Sequence, residues 1–139
     1  MVISKTKKFT SEKIDISPLI SVRNLLKNII KEAGNEYEQM GAVQTFEICY
    51  ELAWKTLKKI LEIQGIKEVY SPKEIFRKAY LEGLISKFDP WNNYLKTRNL
   101  TVHTYHEDML SEVWNILPQF LKDLDWMIKK IKPYASNRK

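Results

Sequence analysis

The sequence predicts an all-α protein: an up-and-down four-helix bundle with one additional short helix. Three observations carry that expectation. Apolar residues recur at three- and four-residue steps through several long runs, the period of a helix with one buried face. Only four glycines and five prolines occur in 139 residues, and most fall between those runs, too few for a many-turned sheet protein. The connections are short, and helices joined by short connections lie antiparallel.

Ser17-Pro18 reads as a helix N-cap with proline at the first helical position, where its missing N–H is no loss. From there Leu19, Val22, Leu26 and Ile29, flanked by Leu25 and Ile30, form an apolar stripe that Gly34 interrupts. A second helix starts near Asn35 and runs about 30 residues, about 45 Å at the helical rise. In it Val43, Phe46, Tyr50, Ala53, Trp54, Leu57, Ile60 and Leu61 keep the period until Gly65 supplies a stop. Ser71-Pro72 repeats the start signal for a short third helix carrying Ile75, Phe76, Ala79 and Tyr80, closed by Gly83 and expected to cross one end of the bundle. Asp89-Pro90 opens a fourth, leading through Trp91, Tyr94 and Leu95 to Arg98. The fifth carries Leu110, Val113, Trp114, Leu117, Phe120, Leu121, Leu124, Met127, Ile128 and Ile131, with a bend expected at Pro118. The bundle is thus expected over residues 17–132, with a basic extension at 1–16 and a basic tail at 133–139. Trp54, Trp91, Trp114 and Trp126 all fall at or beside apolar helical positions, which predicts core rather than a stacking platform.

The length suits one domain with its own core. Hydrophobic residues at 44% and charged residues at 29% are ordinary for a folded chain. No apolar stretch approaches the roughly 18 residues of a membrane span, and residues 1–8 have lysines with no apolar run behind them, so no secretory signal is read and the cytoplasm is the expected location. The single cysteine, Cys49, allows no internal disulfide and no cysteine metal site; beside Phe46, Tyr50 and Ala53 it reads as a packed thiol. A net charge of +6 suits an anionic partner, whether nucleic acid, nucleotide or acidic protein, without choosing among them. Much of the excess lies in Lys5, Lys7, Lys8, Lys129, Lys130, Lys132, Arg138 and Lys139, where keeping the chain in solution is the plainer role.

Residues 98–105 read Arg-Asn-Leu-Thr-Val-His-Thr-Tyr. This segment resembles the signature of the HEPN superfamily, in its R-x4-H-x-Y form, with Arg98, Asn99, His103 and Tyr105 at the matching positions. Phe46-Glu47, Glu51-Leu52-Ala53-Trp54-Lys55, Ser71-Pro72-Lys73-Glu74 and Trp91 extend the likeness, which covers residues 19–131 and points to the nucleotidyltransferase substrate-binding proteins. The resemblance implies a helical bundle that dimerises and a separately encoded nucleotidyltransferase as antitoxin-like partner, with no cofactor. Some relatives of this kind are ribonuclease toxins whose partner can adenylylate the motif tyrosine; others are non-catalytic substrate-binding subunits. Both readings stay open at this point.

Positions five apart on a helix are rotated about 140° from one another while positions seven apart nearly superimpose, so Arg98, His103 and Tyr105 converge only if the helix ends or distorts near His103. Thr104 with Glu107 spells a capping box that would restart a helix there. Metal-free RNA cleavage needs a proton carrier near neutral pH and a cation on the phosphate. His103 and Arg98 are the catalytic candidates for those roles, with Asn99 and Tyr105 orienting substrate. One imidazole cannot serve as both base and acid in one step, and a two-fold dimer would bring a second copy to the same cleft. Plainer alternatives are a surface Arg98, a satisfied helix-end His103 and a core Tyr105. His103, His106, Glu107 and Asp108 lack a third, distant ligand, so no metal site is expected. Glu51 and Lys55, four apart, read as a solvated ion pair. A protein that holds nucleic acid by charge alone would bind with steep salt dependence whatever its motif.

Overall fold

The computed structural model describes residues 13–103 and 107–136, with His103 and Glu107 by backbone alone. Its helices are α1 (Ser17–Glu32), α2 (Glu36–Ile63), α3 (Pro72–Leu81), α4 (Phe88–His103) and α5 (Glu107–Ile131), followed by a 3₁₀ turn at Lys132–Tyr134. Five α-helices in the described residues, with four long ones forming the bundle and α3 packed on α2 and α4, match the expected all-α class.

The helix ends show how local chemistry sets the boundaries. At α2 the capping box is complete: Asn35 accepts from the Glu38 N–H at 2.9 Å, and Glu38 accepts from the Asn35 N–H at 3.2 Å. Its C-terminus is a Schellman motif, with Gly65 at φ 91° and the Ile66 N–H donating to the Leu61 carbonyl at 2.8 Å. Gly83, φ 77°, ends α3 in the same way. Two starts differ from expectation. Ser17 is not the cap of α1 but lies inside it; the carboxylate of Asp15 accepts from the Ser17 N–H at 3.0 Å and from its hydroxyl at 2.7 Å, so the acceptor comes from two residues earlier. Helix α4 begins at Phe88, which puts Asp89 within the first turn, where its charge faces the positive end of the helix dipole.

An aromatic cluster ties the helices together. Trp91 of α4 stacks on Phe76 of α3 with centroids 4.9 Å apart, and Phe120 of α5 meets Phe46 of α2 edge-on at 4.9 Å and Tyr94 of α4 at 5.1 Å. All these rings are buried. Helix α1 adds Leu19, Val22 and Leu26 to the core, and its Arg23 makes a bidentate pair with Asp125 of α5, both contacts at 2.7 Å.

The four tryptophans do not share one environment: Trp91 is buried, Trp54 and Trp114 are half-buried, and Trp126 is exposed, contrary to the expectation of a common core role. Trp126 instead carries the Lys130 ammonium 5.0 Å from its ring centre, a surface cation–π pair. Cys49 is fully buried, and burial pushes its thiol up to about 12, as expected of a packed, inert sulfur. Pro118 lies inside α5, which continues to Ile131. Ile14 and Ile16 are buried against the core, and an isolated parallel bridge joins Ile14 to Ala135, so segments assigned by sequence to the extension and the tail meet at one pole. Among the described residues no helix is long and apolar enough to cross a membrane.

Candidate functional site

Trp91, Tyr94, Arg98 and Thr101 follow one another at three- and four-residue steps and so share one face of α4. The first two are locked into the aromatic cluster, and Tyr94 donates to the buried Asp123 of α5 at 2.5 Å while Gln119 donates to the other oxygen at 3.1 Å. That anchoring fixes where Arg98 emerges: half-buried at the seam between α4 and α2, one turn beyond Tyr94.

There the Arg98 Nη2 lies 3.4 Å from Glu51 Oε2. The other Glu51 oxygen accepts from the Trp54 indole N–H at 3.2 Å and lies 3.8 Å from the Lys55 ammonium, so donors of its own helix aim the carboxylate at α4. One turn further, the Thr101 hydroxyl meets the Glu47 carboxylate and lies 2.7 Å from the Arg98 carbonyl. These pairings run in opposite order along the two helices, so α2 and α4 are antiparallel.

The ion pair at 3.4 Å is longer than the roughly 2.7–2.9 Å of a tight charge-assisted hydrogen bond. Glu51 therefore holds the guanidinium in place without using up its donors. The Arg98 Nε is buried and has no partner among the described residues, and the same is true of the Tyr50 hydroxyl on α2. Burial first, and then the Glu51 charge, push the Tyr50 hydroxyl above its ordinary range, while Arg98 opposes them.

The structure brings Arg98 to a seam with fixed geometry. Asn99, the next residue, is exposed. Helix α4 is described as far as His103 and α5 from Glu107; His103 is still helical, so its backbone position lies about 140° around the helix from Arg98. The His103 side chain, Thr104, Tyr105 and His106 lie outside the described residues, and with them the expected cap by Thr104 and the convergence of the motif. Among the described residues no group of three His, Cys, Asp or Glu side chains is gathered as a metal site would need.

Glu51 is more than the solvated partner of Lys55 that sequence spacing suggested: it bridges two helices and faces Arg98. Glu47 was likewise not singled out as a contact. The signal that could have found them is their placement: Glu47 and Glu51 each directly follow a buried aromatic, Phe46 and Tyr50, which puts two carboxylates at the border of the apolar stripe of α2.

The sequence profile of the family described as nucleotidyltransferase substrate binding protein like matches residues 15–133. Over 96 residues the chain is 32% identical to a Haemophilus influenzae protein named Probable ribonuclease HepT; the alignment covers 66% of this chain and 66% of that protein, just short of two thirds of either length. A solved structure from Thermus thermophilus superposes with a TM-score of 0.75 at 26% identity, covering 82% of this chain and 98% of the other. Another, from Haemophilus influenzae and described as revealing the fold of a substrate binding domain of a nucleotidyltransferase, gives a TM-score of 0.77 at 25% identity over 85% and 99% of the two chains.

Proposed function

This chain belongs to the nucleotidyltransferase substrate binding protein-like family, and on that premise we propose that it is a HEPN-type partner of a separately encoded nucleotidyltransferase, acting as a metal-independent endoribonuclease restrained by that partner. The observation that carries the reading is the half-buried Arg98, aimed by Glu51 and with its Nε unpartnered among the described residues, five residues before His103. The relative named as a ribonuclease supports it.

In this reading the Arg98 guanidinium holds a phosphate of RNA and neutralises charge that grows on its oxygens in the transition state. His103 takes the proton of the neighbouring ribose 2′-hydroxyl; that oxygen forms a bond to phosphorus as the bond from phosphorus to the 5′ oxygen breaks. The leaving oxygen receives a proton from a second carrier, and the products are a 2′,3′-cyclic phosphate and a 5′-hydroxyl. A homodimer supplies the second carrier as the partner copy's imidazole. Asn99 and Tyr105 orient the nucleotide, and Tyr105 is where the nucleotidyltransferase would attach a nucleotide to silence the site.

The test is cleavage of RNA by the purified chain in EDTA. Arg98→Ala and His103→Ala should each slow it about 10²–10⁴-fold. Wild-type rates in both variants, or no cleavage by the unsubstituted protein, overturn the ribonuclease assignment. The second result would favour a non-catalytic subunit that binds the nucleotidyltransferase and presents its substrate. The specific observation behind that alternative is the fold match to a domain so described.

A further inference from the structure

A cavity of about 520 Å³ opens between the N-terminal turns of α2 and α5, lined by Glu36 and Gln39 on one side and Leu110, Ser111 and Trp114 on the other. It is separate from the Arg98–Glu51 contact. On α2, Gln39 lies eight residues before Glu47, about 12 Å along the helix, and in the direction of the α4 end. The cavity therefore sits beside the α4–α5 boundary, on the His103 side of the seam.

Its chemistry is specific. The pairs Glu36 with Gln39 and Ser111 with Trp114 are each three apart, so each pair shares a helix face and the two faces look at one another across the gap. An indole supplies a flat apolar wall. A carboxamide, a hydroxyl and a carboxylate supply donors and acceptors close by, while no lysine or arginine is among the described lining residues. That combination suits a flat heterocycle with polar edges and not a phosphate.

We propose that this cavity is a base-recognition subsite, which lies about 18 Å along α2 from Glu51, takes the heterocycle of a nucleotide further along the strand than the phosphate held by Arg98, and prefers bases that carry an amino group. The identity of the ligand as RNA rests on the ribonuclease reading; the chemistry of the cavity does not. Glu36 and Gln39 accept from the amino group, Trp114 stacks on the ring, and Ser111 takes a remaining edge position. The two sites then divide the work, with backbone held at the seam and sequence read at the cavity.

The experiment is a titration of the full chain with AMP, GMP, CMP and UMP, followed by the indole N–H resonances in a ¹⁵N-edited spectrum, with the Trp114 signal assigned from its loss in Trp114→Phe. The Trp114 signal should move with AMP, GMP and CMP and least with UMP, and Gln39→Leu should weaken that binding about tenfold. No movement with any nucleotide, equal affinity for all four, or unchanged affinity in Gln39→Leu overturns the subsite. The titration needs no cleavage, so it reads the cavity even in a chain that cuts no RNA. Conversely, Arg98-dependent cleavage with a silent Trp114 removes the subsite and leaves the ribonuclease reading standing.

Discussion

The two halves of α4 present the same face to the bundle and are held by different physics. In the first half Trp91 and Tyr94 are buried among rings from neighbouring helices. In the second, Arg98 and Thr101 meet the carboxylates of Glu51 and Glu47 at a half-exposed seam. Burial of a large ring is worth several kcal/mol and has no alternative partner. A half-exposed ion pair contributes about 0–1 kcal/mol and can exchange its partner for a ligand. The first half therefore sets position, and the second is left free to change partners without much loss of stability.

The sharpest way to break that comparison is Trp91→Ala, expected to destabilise by about 3–5 kcal/mol in urea unfolding. A loss under about 1 kcal/mol would mean the aromatic cluster is not the anchor. Next in size, Tyr94→Phe leaves the buried Asp123 with one donor fewer and should remove about 1–3 kcal/mol. High pH attacks the same region: Cys49, Tyr50 and Tyr94 are all raised, Cys49 to about 12. Raised groups of this kind stabilise fully below their ordinary values and lose that contribution as pH climbs to the folded ones. Stability should accordingly fall as pH rises from about 9 toward 12, and a thiol reagent at about pH 8 should label Cys49 only on unfolding. In the other half, Arg98→Ala should change unfolding free energy by no more than about 1 kcal/mol while cleavage collapses. A larger stability loss would make the seam structural. Smallest of all, Lys55→Ala should cost about 0.2–0.5 kcal/mol.

The same contrast explains what could be read from sequence. The helices were legible because periodicity, Ser71-Pro72, and Gly65 and Gly83 are local signals that tertiary packing did not override. Ser17 was misread because two acceptors competed for one helix start and Asp15 took it. The core role of Trp91 followed from its stripe, but Trp126 lies at the edge of an equally apolar stripe and stays outside in the packed bundle. At the site, Arg98 and the need for a helix end near His103 were visible as a motif. Glu51 was visible only as the neighbour of Lys55, since spacing along one helix says nothing about which second helix comes alongside.

The bridge between Ile14 and Ala135 fastens the two ends of the described chain side by side, with the Ile14 N–H donating to the Tyr134 carbonyl and the Ser136 N–H to the Ile14 carbonyl, each at 2.8 Å. A short linker could therefore fuse residue 136 to residue 13, and new ends could be opened in the loop between α2 and α3, giving a circular permutant of the same bundle. Helix α5, 25 residues long, separates that fused pole from the α4–α5 boundary by about 37 Å. Such a rearranged chain should keep the Arg98–Glu51 pairing while carrying its termini in a new place.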